Sequence, residues 1–355
     1  MQIKTKVSKV VIGFALTLLS ASCVPFLAAP AAGIIKTTNG GTDWQAINTL
    51  KDQSGDLGGV SVSVLAFDPT NADRVFMSSY TGGMFRSEDS GESWERILSH
   101  IQVYDFAISP DNSDVLYASG IFDNNGRALV TKDGGKSWVE IYKEASTENA
   151  VRAIAVNPAN PQEVVIGMSS GNIIKSIDGG TNWKLMNNFE DRVNRIRFQN
   201  GNLYVLLRTK GLFVSSDVGQ TFAPSLTASI GGLSSSVAGS FSGFSIGSFS
   251  QFAVASDSNI IYVTTESGLF KTTSGGTQWQ RVAVPVKNDE VAFRAVAIAP
   301  SNDSIVYTAA GTTVYKSDDS AQTFQTQGVV GTGFVNFILV HPTFSQIAYA
   351  GIFAD

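Results

Sequence analysis

Cysteine and histidine are nearly absent from this chain, and each scarcity removes a class of chemistry. The one cysteine, Cys23, lies within the first thirty residues. No internal disulfide can form, so stability must come from packing and topology. Two histidines, His100 and His341, supply too few ligands and bases for His/Cys metal sites or for Ser-His-Asp and Cys-His catalysis. Charge is also sparse. Asp, Glu, Lys and Arg make up 15% of the 355 residues, against about a quarter in an ordinary domain. The formal balance is −5, and without Lys4, Lys6 and Lys9 it is −8, from 22 bases and 30 acids. No basic stripe accompanies that acidity, which argues against nucleic acid or an anionic membrane surface as partner.

What is abundant is glycine (34 residues), with Val, Ser, Thr and aromatics, the composition of strands joined by tight turns. A hairpin signature recurs seven times: Thr37 to Trp44, Ser87 to Trp94, Thr131 to Trp138, Ser176 to Trp183, Ser215 to Phe222, Thr272 to Trp279 and Ser317 to Phe324. Its terminal aromatics are 50, 44, 45, 39, 57 and 45 residues apart, the period of a β-propeller blade. Each full repeat reads as four strands. Arg152-Ala153-Ile154-Ala155-Val156 and Arg294-Ala295-Val296-Ala297-Ile298 are first strands, apolar on both faces as in a strand covered on both sides.

The ends are complementary. After its leader the chain begins with a third strand and signature, Gly33 to Trp44, and it finishes with a first and second strand, Phe337 to Pro342 and Ile347 to Ala350. Each half would leave an open sheet edge. Together they predict an all-β, seven-bladed β-propeller of four-stranded antiparallel blades, closed by terminal strands that share one blade.

The first residues read differently. A basic n-region precedes the apolar run Val10 to Leu19, as in an export signal, and that run is short for a permanent span. Leu19-Ser20-Ala21-Ser22-Cys23 resembles a bacterial lipoprotein cleavage box, with leucine one place too early, and makes Cys23 the lipidation candidate. Cleavage near Ala29-Pro30-Ala31 and an uncleaved anchor are the alternatives. The expected organisation is a signal peptide over 1–22, a tether over 23–32 and one propeller over 33–355, interrupted by a Ser/Gly-rich insertion over 225–250. Localisation is expected to be extracytoplasmic, either membrane-tethered or secreted, with membrane contact through the leader or lipid alone.

In the signature, Asp at the third position can accept backbone N–H groups, Gly at the fifth supplies a positive φ, and the eighth-position aromatic anchors the hairpin. The pattern resembles the Asp-box, or bacterial neuraminidase repeat. The resemblance spans nearly all the chain after residue 33 and is closest to propellers of the photosystem II assembly factor type. Sortilin-type, xyloglucanase-type and sialidase propellers are similar at greater distance. It implies structural roles for Asp89, Asp133, Asp178, Asp217 and Asp319 and for Trp94, Trp138, Trp183 and Trp279. Asn39 and Ser274 replace the aspartate, Ala321 the glycine, and Phe222 and Phe324 the tryptophan, so looser blades are expected there.

Aligning first strands on their closing turn puts Ser63, Tyr104, Arg152, Asn194, Arg294 and Asn336 at one level, with Asp105 and Arg195 one residue on. Arginines from several blades can grip a carboxylate or an acidic loop. Tyr104, Asp105, Arg152, Arg195, Arg294 and Asn336 are therefore the binding candidates. Pairing with Asp105, Glu190, Asp191 or Glu290 in a solvated channel is the alternative role for these arginines. No catalytic residue, cofactor or metal is expected. The sialidase Phe/Tyr-Arg-Ile-Pro motif is absent, Ile34-Ile35-Lys36 standing in its place, and no carboxylate pair is legible for glycoside hydrolysis. The reading is a non-enzymatic scaffold for a protein partner at the envelope. The alternative is a glycan-binding or glycan-hydrolysing propeller.

Overall fold

The computed structural model describes residues 33–52, 55–99, 101–146, 148–227, 246–286, 292–329 and 333–354. These residues form 28 strands in seven four-stranded antiparallel sheets, and no helix. Blades 1 to 6 occupy residues 62–98, 102–143, 151–188, 193–227, 249–282 and 293–329. Blade 7 combines the two ends, in the order Gln45–Ala46, Gly33–Thr37, Ala348–Phe353 and Phe334–Val340. Ile35 pairs with Ala350 and Lys36 with Tyr349 across the seam. Every first strand touches the first strand of the next blade, and Phe334–Val340 touches Val62–Phe67. The circle is closed.

Apolar first and second strands leave each blade hydrophobic on both faces, so cores form between blades rather than within them. Blades 7 and 1 share Ile34, Leu57, Val62, Phe85, Trp94 and Tyr349, each fully buried. Comparable clusters join the other neighbours. The leader, tether and Cys23 lie outside the described residues, as do His100 and Glu290. Of the expected insertion, Ala223–Thr227 and Phe249–Val254 are strands, and 228–245 lies outside the described residues. The Ser/Gly-rich composition concealed Leu226 and Phe249, which are buried anchors at its two ends.

The signature builds one turn seven times. The first-position hydroxyl accepts the fifth-position N–H, as in Gly91 to Ser87 at 2.8 Å. It also donates to the aspartate, at 2.6 Å from Ser87 to Asp89. The aspartate in turn accepts the seventh-position N–H, at 2.9 Å from Ser93. Hydrogen bonds from Ser137, Asn182 and Thr323 hold the carboxyls of Asp133, Asp178 and Asp319 down at about 2. The expectation of looser turns at the substituted positions is corrected for the acceptor. Asn39 Oδ1 takes the Asp43 N–H at 3.0 Å, and Ser274 Oγ takes that of Gln278 at 3.0 Å. Ala321 does strain the backbone, at φ +65°, where glycine is the unstrained residue.

The eighth-position tryptophan staples its blade to the preceding one. Its indole N–H donates to an outer-strand carbonyl there: Trp44 to Gln327 (3.1 Å), Trp94 to Ile47 (2.7 Å), Trp138 to Ile97 (2.8 Å), Trp183 to Ile141 (2.9 Å) and Trp279 to Ser225 (2.9 Å). Phe222 and Phe324 keep the packing and lack the donor.

Candidate functional site

A bulge in every first strand builds the site. Register with the second strand slips at one level in all seven blades, leaving Ser63, Tyr104, Arg152, Asn194, Ser250, Arg294 and Asn336 without a cross-strand partner. A bulged residue is turned out of the regular pleat. Six of the seven, all but Ser63, line one cavity of about 270 Å³ at the mouth of the channel. The sequence alignment had found every bulge residue except Ser250, which follows the Ser/Gly-rich stretch.

Individually these residues divide. Ser63 is buried and donates to Val103 O at 2.7 Å. Asn194 donates to Phe249 O at 2.6 Å and Asn336 to Val62 O at 2.9 Å, each lacing its blade to the next. Arg152 donates to Ser169 Oγ at 3.0 Å and stacks on the Tyr104 ring at 4.2 Å. Arg294 is exposed and stacks on Phe334 at 4.0 Å. Between those two cations runs an aromatic arc. Phe334 stacks on Phe353 at 4.9 Å, Phe353 meets Tyr80 at 5.4 Å, and Tyr80 meets Tyr104 at 5.5 Å. Tyr80 and Tyr104 of this arc line the cavity, and a guanidinium stands at each end of it.

The lining is strongly cationic. Arg192 and Arg208, which sequence reasoning missed, join Arg152, Arg195 and Arg294 in the lining, and Glu266 is the one carboxylate there among the described residues. Burial pushes the Arg192 pKa down, and the neighbouring charges of Arg152 and Arg208 push it further the same way. Crowded guanidinium groups of this kind favour an anion among them. Glu266 accepts the Ser248 hydroxyl and its N–H, and these bonds hold its carboxyl below the usual value.

One candidate faces elsewhere, which corrects the expectation that it meets a ligand at the open mouth. Asp105 is fully buried, away from the cavity, and takes a bidentate bond from Arg197 at 2.9 and 3.0 Å. It also accepts the N–H groups of Phe106 (3.0 Å) and Ile154 (3.3 Å). Arg195 lines the cavity but is only 8% exposed, its guanidinium donating to the Ser63 carbonyl at 3.1 Å and the Tyr104 carbonyl at 3.5 Å. These bonds tie blade 4 to blades 1 and 2. Of the other expected pairings, Asp191 caps the Thr209 and Lys210 N–H groups at 2.8 and 2.7 Å. Tyr104 Oη donates to Gln102 at 3.1 Å rather than to a carboxylate.

Comparison with known proteins agrees with this architecture. A family model described as sortilin, neurotensin receptor 3, matches residues 32–166. The xyloglucanase Xgh74A of Acetivibrio thermocellus is 24% identical over 153 residues, covering 37% of this chain and 18% of that protein. The chain therefore spans less than a fifth of the curated relative's length. Among solved structures, a GH74 xyloglucanase from Xanthomonas campestris superposes with a TM-score of 0.65 at 16% identity, over 83% of this chain and 51% of that one. YCF48 from Cyanidioschyzon merolae gives 0.62 at 16% identity, over 83% and 96%. YCF48 bound to D1 peptide gives 0.60 at 14% identity, over 83% and 94%. The likeness is one of fold, and it runs to hydrolases and to a peptide-binding protein alike. The chain is a seven-bladed β-propeller with the ring architecture shared by GH74 xyloglucanases and YCF48.

Proposed function

We propose that this propeller is an exported, non-enzymatic scaffold that holds an acidic segment of a protein partner against its channel mouth. The observation that carries the reading is four of the five lining arginines, Arg152, Arg192, Arg208 and Arg294, facing a single lining carboxylate among the described residues. Among the described residues none of the four has an acidic partner within ion-pairing distance. The adjoining aromatic arc offers stacking surface for the side chains that flank such a segment. Peptide binding by a structurally similar propeller, YCF48, supports the same reading. We place the chain at the cell envelope on the strength of its leader, with Cys23 as the lipid-bearing tether.

The hydrolase alternative draws on the GH74 neighbours and fares worse at the site. Glycoside hydrolysis needs two carboxyls, one with a raised pKa to act as acid. Among the described residues the mouth offers Glu266 alone, and its pKa is lowered. The test uses a fluorescein-labelled peptide ending in four acidic residues. Anisotropy should show binding that weakens with salt, and by about tenfold or more in Arg152→Glu/Arg192→Glu, since charge-assisted hydrogen bonds each contribute ~1.5–3 kcal/mol. Equal binding by the variant, or release of reducing sugar from xyloglucan by the wild type, would reject the proposal.

A further inference from the structure

The residue just before the signature is a cation in five blades: Lys36, Arg86, Lys175, Lys271 and Lys316. Each reaches over the next blade's signature turn, and four of them donate to the carbonyl of its fourth residue. Lys36 meets Ser90 at 2.9 Å, Arg86 meets Gly134 at 2.9 Å, Lys175 meets Val218 at 3.1 Å and Lys271 meets Ser320 at 2.7 Å. Lys316 pairs with Asp318 at 2.7 Å and stands over Gly40, the fourth residue of the blade 7 turn. Blades 2 and 4 carry Val130 and Val214 instead. Beside Val214, Phe252 and Val254 of blade 5 pack into the junction. Beside Val130 the junction is open, a notch of about 600 Å³ between blades 2 and 3.

The notch has the chemistry of a missing lysine. Val130, Val139 and Ile141 form an apolar wall, and Asp111, Asp133 and Asp178 supply acid against the single cation Lys132. Asp133 and Asp178 are held near 2 and stay charged at neutral pH. Gly179, whose carbonyl is the counterpart of those of Ser90, Gly134, Val218 and Ser320, lines the cavity. Val139, and Ile177 just before Asp178 in the chain, are 62% and 67% exposed. Valine has neither the donor nor the length to complete this junction as lysine does elsewhere.

We propose that the notch receives a lysine or arginine side chain from a partner protein, seated as the chain's own cations are seated at the other junctions. The ammonium group meets the Gly179 carbonyl and the aspartates, and the methylene stem lies on Val130, Val139 and Ile141. This surface shares no residue with the arginine-lined mouth.

The probe is the peptide acetyl-Leu-Lys-Leu-amide, with norleucine in place of lysine as control, followed by amide chemical shifts. The lysine peptide should perturb Val130, Val139 and Ile141, and the norleucine peptide should bind about tenfold more weakly. Val130→Lys fills the notch from within and should weaken the lysine peptide by about tenfold while melting no lower than wild type. Asp111→Asn, a rim change, should weaken it severalfold, and Arg152→Glu should leave it unchanged. Equal binding of both peptides, undiminished binding to Val130→Lys, or no shifts at millimolar peptide would overturn the proposal.

Discussion

Asp105→Ala is expected to destabilise the protein by about 3–5 kcal/mol, the usual effect of removing one partner of a buried ion pair. The carboxylate is fully buried, and four donors converge on it within 3.3 Å: both Arg197 guanidinium nitrogens, Phe106 N–H and Ile154 N–H. Arg195 stands 3.9 Å away. Burial alone would lower the Arg197 pKa, and the Asp105 charge more than reverses this, keeping the guanidinium protonated. Without Asp105 the channel retains two cations and loses the bidentate bond from Arg197 that helps tie blade 4 to blade 2. Urea midpoints give the measurement. Asp105→Leu combined with Arg197→Met should recover much of the loss, because an apolar pair of similar volume leaves no stranded charge. A single-variant loss below about 1 kcal/mol would show that the pair does not brace the channel.

Trp94→Ala carries the second large effect, also about 3–5 kcal/mol, from the cavity left by a side chain with no exposed surface. The ring packs among Ile34, Ile47, Leu57 and Tyr349, so it belongs to the seam between the closing blade and blade 1. Trp94→Phe separates packing from hydrogen bonding. Phe222 and Phe324 show that the ring position accepts phenylalanine, so this variant should lose only about 1 kcal/mol, for the orphaned Ile47 carbonyl. Thermal unfolding of the two variants side by side makes the check. Equal losses would mean that the indole bond, rather than the filled volume, holds the seam.

The ring was legible in the sequence because its determinants are local. Gly, Asp and Trp at fixed offsets write the turn, and incomplete repeats at the two ends imply a shared blade. The bulge level was legible for a related reason: it lies at a constant distance before the turn that closes each first strand. What escaped stands elsewhere. Tyr80, Arg208 and Glu266 each follow directly on a second strand, at 75–79, 202–207 and 261–265. They form a second tier at the mouth that the first-strand alignment did not sample. Phe353 ends the second strand of the closing blade and completes the arc only once the two chain ends meet.

Arg197 left a sharper trace. Three residues past the bulge, five blades carry Ala66, Ala107, Ala155, Ala253 and Ala297, the closing blade carries Leu339, and blade 4 alone places an arginine there. Small side chains around the channel leave room for one long one to cross it. Its partner could not be read from sequence, since Asp105 lies 92 residues away and two blades over. The notch between blades 2 and 3 was hidden similarly. Val130 is unremarkable until the lysines at the same offset are seen reaching into neighbouring blades.

The mouth exists only if the seven first strands form a circle, so the seam between the chain ends is the point to probe. In a Cys23→Ser background, Ile35→Cys and Ala350→Cys place two thiols on directly paired residues of adjacent antiparallel strands, within the reach of a disulfide. Mild oxidation should give a monomer with no titratable thiol and a raised melting temperature that falls again on reduction. Free thiols after oxidation, or covalent dimers instead of an internal bridge, would contradict the closed ring and with it the arginine-lined mouth.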